Sequence, residues 1–257
     1  MKRRNSSHRL KPYPATSDQS VGSPVENLLL RLLPRKDHDS LLEKCQFTEL
    51  PKHALVNEIG AAIKFCYFIN GGLASILSVM STGKSVEVGL VGKEGFIGLP
   101  STAGFSTSPT RVVMQVAGSA FRISTADLKE CLRKSPALEL SLKRFSQTLT
   151  LQATQIAACN RVHEVDQRLA RWLLMSLDRL PGDAVPLTQD SLASMLGTRR
   201  ASVTVAAGFL QRAGLITYRR GDVRIDRRDG LERAACECYE ALQRQTARWK
   251  NETEKTQ

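Results

Sequence analysis

The run "LTQDSLASMLGTRRASVTVAAGFLQRAGLI", residues 187 to 216, constrains this chain more than any other stretch. Thr188 is a good N-cap, and Leu192, Ala193 and Leu196 give an apolar face to a helix of roughly eight residues. Gly197 supplies the positive φ of a tight turn, and Thr198 is placed to cap a second helix. In that helix Val203, Ala206, Ala207 and Leu210 face inward, because close crossing over the first helix needs small residues. Arg199, Arg200, Ser202, Thr204 and Val205 are left facing out. Two short helices crossed about a glycine make a helix-turn-helix, which presents the N-terminal turn of its second helix to a major groove.

The chemistry of that turn fits the geometry. Two arginines offer forked donors for O6 and N7 of guanine, while the backbone N–H groups aim at phosphates. The segment "LITYRRGDVRIDRR" then reads as strand, Arg220-Gly221-Asp222 turn and strand. Its Arg219, Arg220 and Arg224, with Arg227 and Arg228 beyond, form a wing that touches phosphates and sets register. Thr188, Thr198 and Ser202 are expected on phosphates as well. Eight arginines between 199 and 228 face only Asp222 and Asp226. The alternative is a solvated charged surface on a small α/β domain.

Overall charge agrees without deciding. The 257 residues carry a formal net charge of +12, which favours a polyanionic partner, nucleic acid or a membrane surface. The excess is spread evenly over residues 1–24, 25–160 and 161–257, so the arginine window is a local feature. Residues 1–24, "MKRRNSSHRLKPYPATSDQSVGSP", hold no apolar run fit for a secretory signal and read as a disordered basic tail. No apolar stretch is long enough for a membrane span. The expected location is the cytoplasm.

From Phe47 to Ile123 the sequence breaks into brief apolar runs, including "KFCYFI", "SILSVM", "VEVGLV" and "TRVVMQVAG", separated by turn chemistry such as Asn70-Gly71-Gly72. This texture predicts an antiparallel sandwich or barrel, preceded by two short helices split at Pro34. A helix is expected over 125–160, with Leu138, Leu142, Phe145, Leu149, Gln152, Ile156 and Cys159 recurring in alternating steps of four and three. Such a stripe either lies on its own barrel or meets a copy of itself; the heptad period, with Gln152 to fix register, favours a homodimer. Asn160 to Asp166 reads as a hinge, with Asp166 capping the next helix.

No catalytic set is legible. The histidines at 8, 38, 53 and 163 pair with no Cys, Ser or Asp signature, so an enzyme is not expected. Of the cysteines at 45, 66, 131, 159, 236 and 238, only Cys236 and Cys238 are close. C-x-C is neither C-x-x-C nor a full ligand set, so reduced thiols without metal or cofactor are expected.

Taken together, residues 25 to 240 resemble the Crp/Fnr superfamily of bacterial transcription regulators, most closely in "VHEVDQRLARWLL" and the helix-turn-helix run, less so in "VEVGLVGKEGFIGLP". The resemblance implies an α+β chain. It has an N-terminal cyclic-nucleotide-binding-like antiparallel β-roll over 25–124, a long dimerisation helix over 125–160, and a C-terminal winged helix-turn-helix domain over 161–240. A polar tail follows at 241–257. It places the family's base-reading positions at Arg200, Ala201 and Val205, where well-known members carry Arg, Glu and Arg; Arg199 and Thr204 are further expected readers. Double-stranded DNA, a second copy and RNA polymerase are the implied partners.

The sensory end departs from the pattern. Nucleotide-binding members place Glu after the Gly of the "FIG" segment and Arg before Ser or Thr. Here Leu99 follows Gly98, and Val112 follows Arg111. Gly98 and Arg111 would line an effector pocket, but control by a cyclic nucleotide is not expected. An alternative reading is a ligand sensor whose C-terminal domain docks to protein rather than DNA.

Overall fold

The computed structural model describes residues 24–219 and 221–254. Residues 1–23 of the expected N-terminal tail, and Arg220, therefore lie outside the described residues. Two short helices, α1 (Leu28–Arg31) and α2 (Arg35–Leu42), open the chain on either side of Pro34. Asn27 ties them down: its side chain accepts from Leu30 N and donates to the carbonyls of Ile69 and Gly95 at 2.7 and 2.9 Å.

Eight strands follow: β1 (Gln46–Leu50), β2 (Leu55–Asn57), β3 (Phe65–Ile69), β4 (Leu73–Val79), β5 (Ser85–Val91), β6 (Phe96–Ile97), β7 (Arg111–Val116) and β8 (Gly118–Ser124), with a one-turn helix α3 (Leu99–Thr102) between β6 and β7. They pair antiparallel into two four-stranded sheets, β1-β8-β3-β6 and β2-β7-β4-β5. The sheets close on Phe68, Ile69, Phe96, Met114 and Ile123, all essentially excluded from solvent. This is the sandwich that the broken apolar runs predict.

The helix expected over 125–160 is two helices, α4 (Thr125–Lys134) and α5 (Pro136–Val162). Pro136 forces the break, because the residue before a proline is pushed out of the α region. Ser135 is accordingly extended, and its side chain caps α5 by accepting from Leu138 N at 3.1 Å.

The heptad stripe is turned inward, which corrects its expected role at a dimer seam. Leu138, Leu142 and Phe145 enter the sandwich core, and Ile156 and Cys159 are buried further along. Leu149, half-buried, lies over Gly89 of β5. Gln152 accepts from Leu90 N at 2.5 Å and donates to Leu90 O at 3.3 Å. Since β5 is an edge strand, Gln152 takes main-chain groups that the open side of the sheet would otherwise leave unpaired. The polar member of the stripe serves the protomer's own sheet.

After a bend at His163 come α6 (Val165–Leu177), β9 (Ala184–Val185), α7 (Gln189–Met195), α8 (Arg200–Arg212), β10 (Ile216–Arg219), β11 (Asp222–Ile225), α9 (Arg228–Ala234) and α10 (Cys238–Glu254). Glu164, in a capping box with Gln167, starts α6 in place of Asp166, which sits in the first turn. Residues 241–254, expected as a polar tail, continue α10. The second core gathers Trp172, Leu173, Leu192, Val203, Leu210 and Leu231 and also takes in Leu73, Leu77 and Leu90 of the sandwich. Polar contacts cross the same boundary: Trp172 Nε1 donates to Glu87 at 2.8 Å, Arg179 pairs with Glu94 at 2.7 Å, and Lys52 donates to Pro186 O at 2.6 Å.

Candidate nucleic-acid interface

Thr188 caps α7 by accepting from Ser191 N at 3.2 Å. Behind it Leu192, Ala193, Met195 and Leu196 are buried. Gly197 turns the chain at φ 59°, the left-handed region that a side chain resists, and a Cβ there would also press on Val86 of β5. Thr198 N then donates to Ala193 O, and the N-cap of α8 falls on Arg199 rather than on Thr198. Arg199 makes no side-chain cap, so no side chain of the cap residue competes with an anion for the N–H groups that open α8.

On α8 the inward face is the expected one: Val203, Ala206, Ala207 and Leu210 are buried. Arg199, Arg200, Ala201, Thr204 and Val205 are exposed, Val205 by 71%, and Ser202 is half-buried. Sequence reasoning missed Phe209, which is 58% exposed one turn beyond Val205. With Ala201 it completes an apolar line at i, i+4 and i+8, a spacing that was readable. Two contacts from α7 reach the expected polar readers: Asp190 lies 3.3 Å from the Arg200 guanidinium, and Gln189 accepts from the Thr204 hydroxyl at 2.9 Å. Both groups of the Arg200 pair are well exposed, so the tether is weak and leaves the guanidinium free to exchange partners.

The wing is β10 and β11, paired from Ile216↔Ile225 to Arg219↔Asp222 about Gly221, whose φ is 75°. Tyr218 fixes it to the helices, its N–H donating to Gln211 at 3.0 Å and its hydroxyl to Leu187 O at 3.3 Å. Arg219 and Arg224 are exposed on it. Arg224 holds Asp226 at 2.9 Å; a hydrogen bond from Thr217, and then Arg224, keep that carboxyl below its usual range. Arg228 does not belong to the wing surface: it binds Asp178 at 2.6 Å, Tyr239 at 2.7 Å and Glu232 at 2.9 Å.

At the sensory end, Gly98 (φ 118°) packs so tightly on Cys66 that a Cβ would sit 2.6 Å from its sulfur. Arg111 grips Glu58 with two nitrogens at 2.8–3.1 Å. Burial works to raise the Glu58 carboxyl, but the Arg111 hydrogen bonds, the backbone N–H of Ile59 and the charge of Arg111 together leave it below its usual range. The cation that a phosphate would need is thus already neutralised. Cys159, expected on the seam, instead meets His163, Cys236 and Cys238. The pairing of C-x3-H at a helix end with C-x-C was present in the sequence, but nothing in either half indicates the other.

Residues 167–234 match the family model of the Crp-like helix-turn-helix domain. No curated protein sequence matches the chain. Among solved structures, FixK2 from Bradyrhizobium japonicum is similar over 75% of this chain and 98% of its own, at 14% identity and TM-score 0.65. The c-di-GMP-responsive global regulator CLP of Xanthomonas campestris is similar over 75% and 99%, at 18% identity and TM-score 0.62. A transcriptional regulator of the Crp/Fnr family from Thermus thermophilus is similar over 76% and 98%, at 19% identity and TM-score 0.61. The chain has the fold of the Crp/Fnr transcription regulators, and its residues 167–234 form a Crp-like helix-turn-helix domain.

Proposed function

We propose that the protein is a homodimeric, sequence-specific DNA-binding transcription regulator that is not controlled by a cyclic nucleotide. One observation carries the reading: the uncapped start of α8 and all five expected readers, Arg199, Arg200, Ala201, Thr204 and Val205, face solvent beside an arginine-bearing wing. Arg200 reads a guanine edge, while the methyl-bearing side chains of Ala201, Val205 and Thr204 suit thymine methyls. Arg219, Arg220 and Arg224 take phosphates, as do Thr188, Thr198 and Ser202 near the helix starts. Leu99 in place of Glu, and Arg111 bound to Glu58, argue against a nucleotide effector.

A dimer formed along α5 uses the face opposite the buried stripe. Leu140 (47% exposed), Gln147, Thr154, Ala158 and Arg161 lie there. The Thr154 hydroxyl is bonded back to Thr150 O at 2.9 Å, which leaves its methyl outward and the surface low enough for a second helix to approach. Two copies then set their α8 helices in successive major grooves of a near-palindromic site, with RNA polymerase as a further partner.

The test is retardation of duplex DNA by the full-length protein across a salt series. Retardation that weakens steeply with salt, because bound phosphates release counterions, supports the reading. Absence of retardation even at low salt overturns it.

A further inference from the structure

We propose that Cys159, His163, Cys236 and Cys238 bind a single zinc ion in a tetrahedral site that locks α10 to the end of α5. Their ligand atoms all lie within 4.8 Å of one another. Cys159 and His163 stand one turn apart, on the last turn of α5 and its C-cap; Cys236 lies in the link after α9, and Cys238 opens α10. The three cysteines form a buried cluster separate from both apolar cores, so packing alone gives no reason for their convergence.

The dimensions favour one ion. Zinc–sulfur bonds of about 2.3 Å and zinc–nitrogen bonds of about 2.0–2.1 Å make tetrahedron edges of about 3.8 Å between sulfurs and about 3.6 Å between sulfur and nitrogen. Here the Cys159 and Cys236 sulfurs are 3.4 Å apart, and Cys238 Sγ is 3.6 Å from His163 Nδ1. An iron–sulfur cluster holds its ligands on several irons and spreads them wider. Three soft thiolates and an imidazole are a zinc donor set.

The surroundings are arranged for metal ligation too. Glu237 lies 2.9 Å from His163 Nε2, and that contact puts the proton on Nε2 and leaves the Nδ1 lone pair facing Cys238. Gln155 donates to Cys238 Sγ at 3.1 Å, which suits a sulfur acting as thiolate. Arg171 and Arg168 are buried, and the Nε of each lacks a hydrogen-bond partner among the described residues. Three thiolates around a divalent ion carry one net negative charge, which offsets part of that buried positive charge. The inference does not depend on DNA binding.

The experiment is metal analysis of full-length protein purified under reducing conditions, followed by cobalt substitution. One zinc per protomer is expected, and cobalt should show sulfur-to-metal charge transfer with the strong visible bands of a tetrahedral site. C159S and C236S should lose the metal, and C131S should keep it. Because those serine variants risk misfolding, E237Q provides a milder test: zinc affinity should fall about 10- to 100-fold with unchanged helical content. Metal content unaffected by C159S, C236S and E237Q, iron with acid-labile sulfide, a six-coordinate cobalt spectrum, or a Cys159–Cys236 disulfide in the reduced preparation would each overturn the assignment.

Discussion

At the scale of single residues, the proposed reading surface is defined by what is left free. Arg200 is exposed and, among the described residues, paired with Asp190, whereas Arg228 and Arg111, equally cationic in the sequence, are bound to two or more partners or gripped bidentately. Substituting Arg200→Ala should therefore cost about 1–3 kcal/mol on the cognate site and relax preference at one base position in each half-site. Competition binding against single-base variants of that site checks this; an equal loss on every sequence would make Arg200 a phosphate contact. Which arginines are free was not legible from the sequence. Glu58 and Asp178 lie 53 and 50 positions away from the arginines they bind. The outward set on α8 was legible, because helical spacing and the small crossing residues fix it locally. Thr198 was misassigned as the cap by a single residue, the usual uncertainty of a helix end.

At the scale of elements, the long helix shows how a sequence pattern can be right about period and wrong about partner. The stripe from Leu138 to Cys159 is continuous, but its partners lie within the protomer: the sandwich for Leu138 to Gln152, and the start of α10 for Cys159. Periodicity reports that a face is buried and does not report against what. The β5 edge needed Gln152, and a polar residue in a heptad reads equally well as a register device between copies. Gln152→Ala should destabilise the protein by about 1–3 kcal/mol, since Leu90 N–H and C=O lose their partner in a buried setting; denaturant midpoints measure it. The same edge carries Glu87, 2% exposed, which accepts from Ser75 at 2.5 Å and from Trp172 at 2.8 Å. Burial pushes its carboxyl up to about 7 against the hydrogen bonds of Ser75 and Trp172 and the charges of Arg171 and Arg179. A buried acid raised from 4.5 to about 7 keeps its proton in the folded state over that window, while the unfolded chain has lost it. Its contribution is thus fully present below pH 4.5 and is lost as pH rises through 7. Unfolding from pH 5 to 8 should show the wild type losing stability relative to Glu87→Gln, by an amount on the order of 3 kcal/mol. Parallel curves would contradict it.

At the scale of the whole molecule, the two halves share an apolar boundary and yet leave α8 on the outside. The order of sandwich, long helix and winged helix-turn-helix was legible because texture changes from short strand runs to helical spacing at Ser124 and because Gly197 and Gly221 punctuate the last domain. The shared boundary was not legible, since Leu73, Leu77 and Leu90 look like ordinary strand residues until Trp172 is placed against them. The proposed dimer uses a face of α5 that remains exposed. Ala158→Glu, on the solvent side of α5, should convert a dimer to a monomer while leaving the fold intact. Light scattering and circular dichroism check both, and an unchanged mass would move the dimer surface elsewhere.

The central claim, that α8 reads DNA from each half of a twofold assembly, is tested most directly by selecting sites for the full-length protein from random duplex DNA. The account predicts an inverted repeat with half-site centres about one helical turn, 10 to 10.5 base pairs, apart, and a guanine in each half whose enrichment disappears with Arg200→Ala. Enrichment of no sequence, or of a single half-site unaffected by Arg200→Ala, would contradict it.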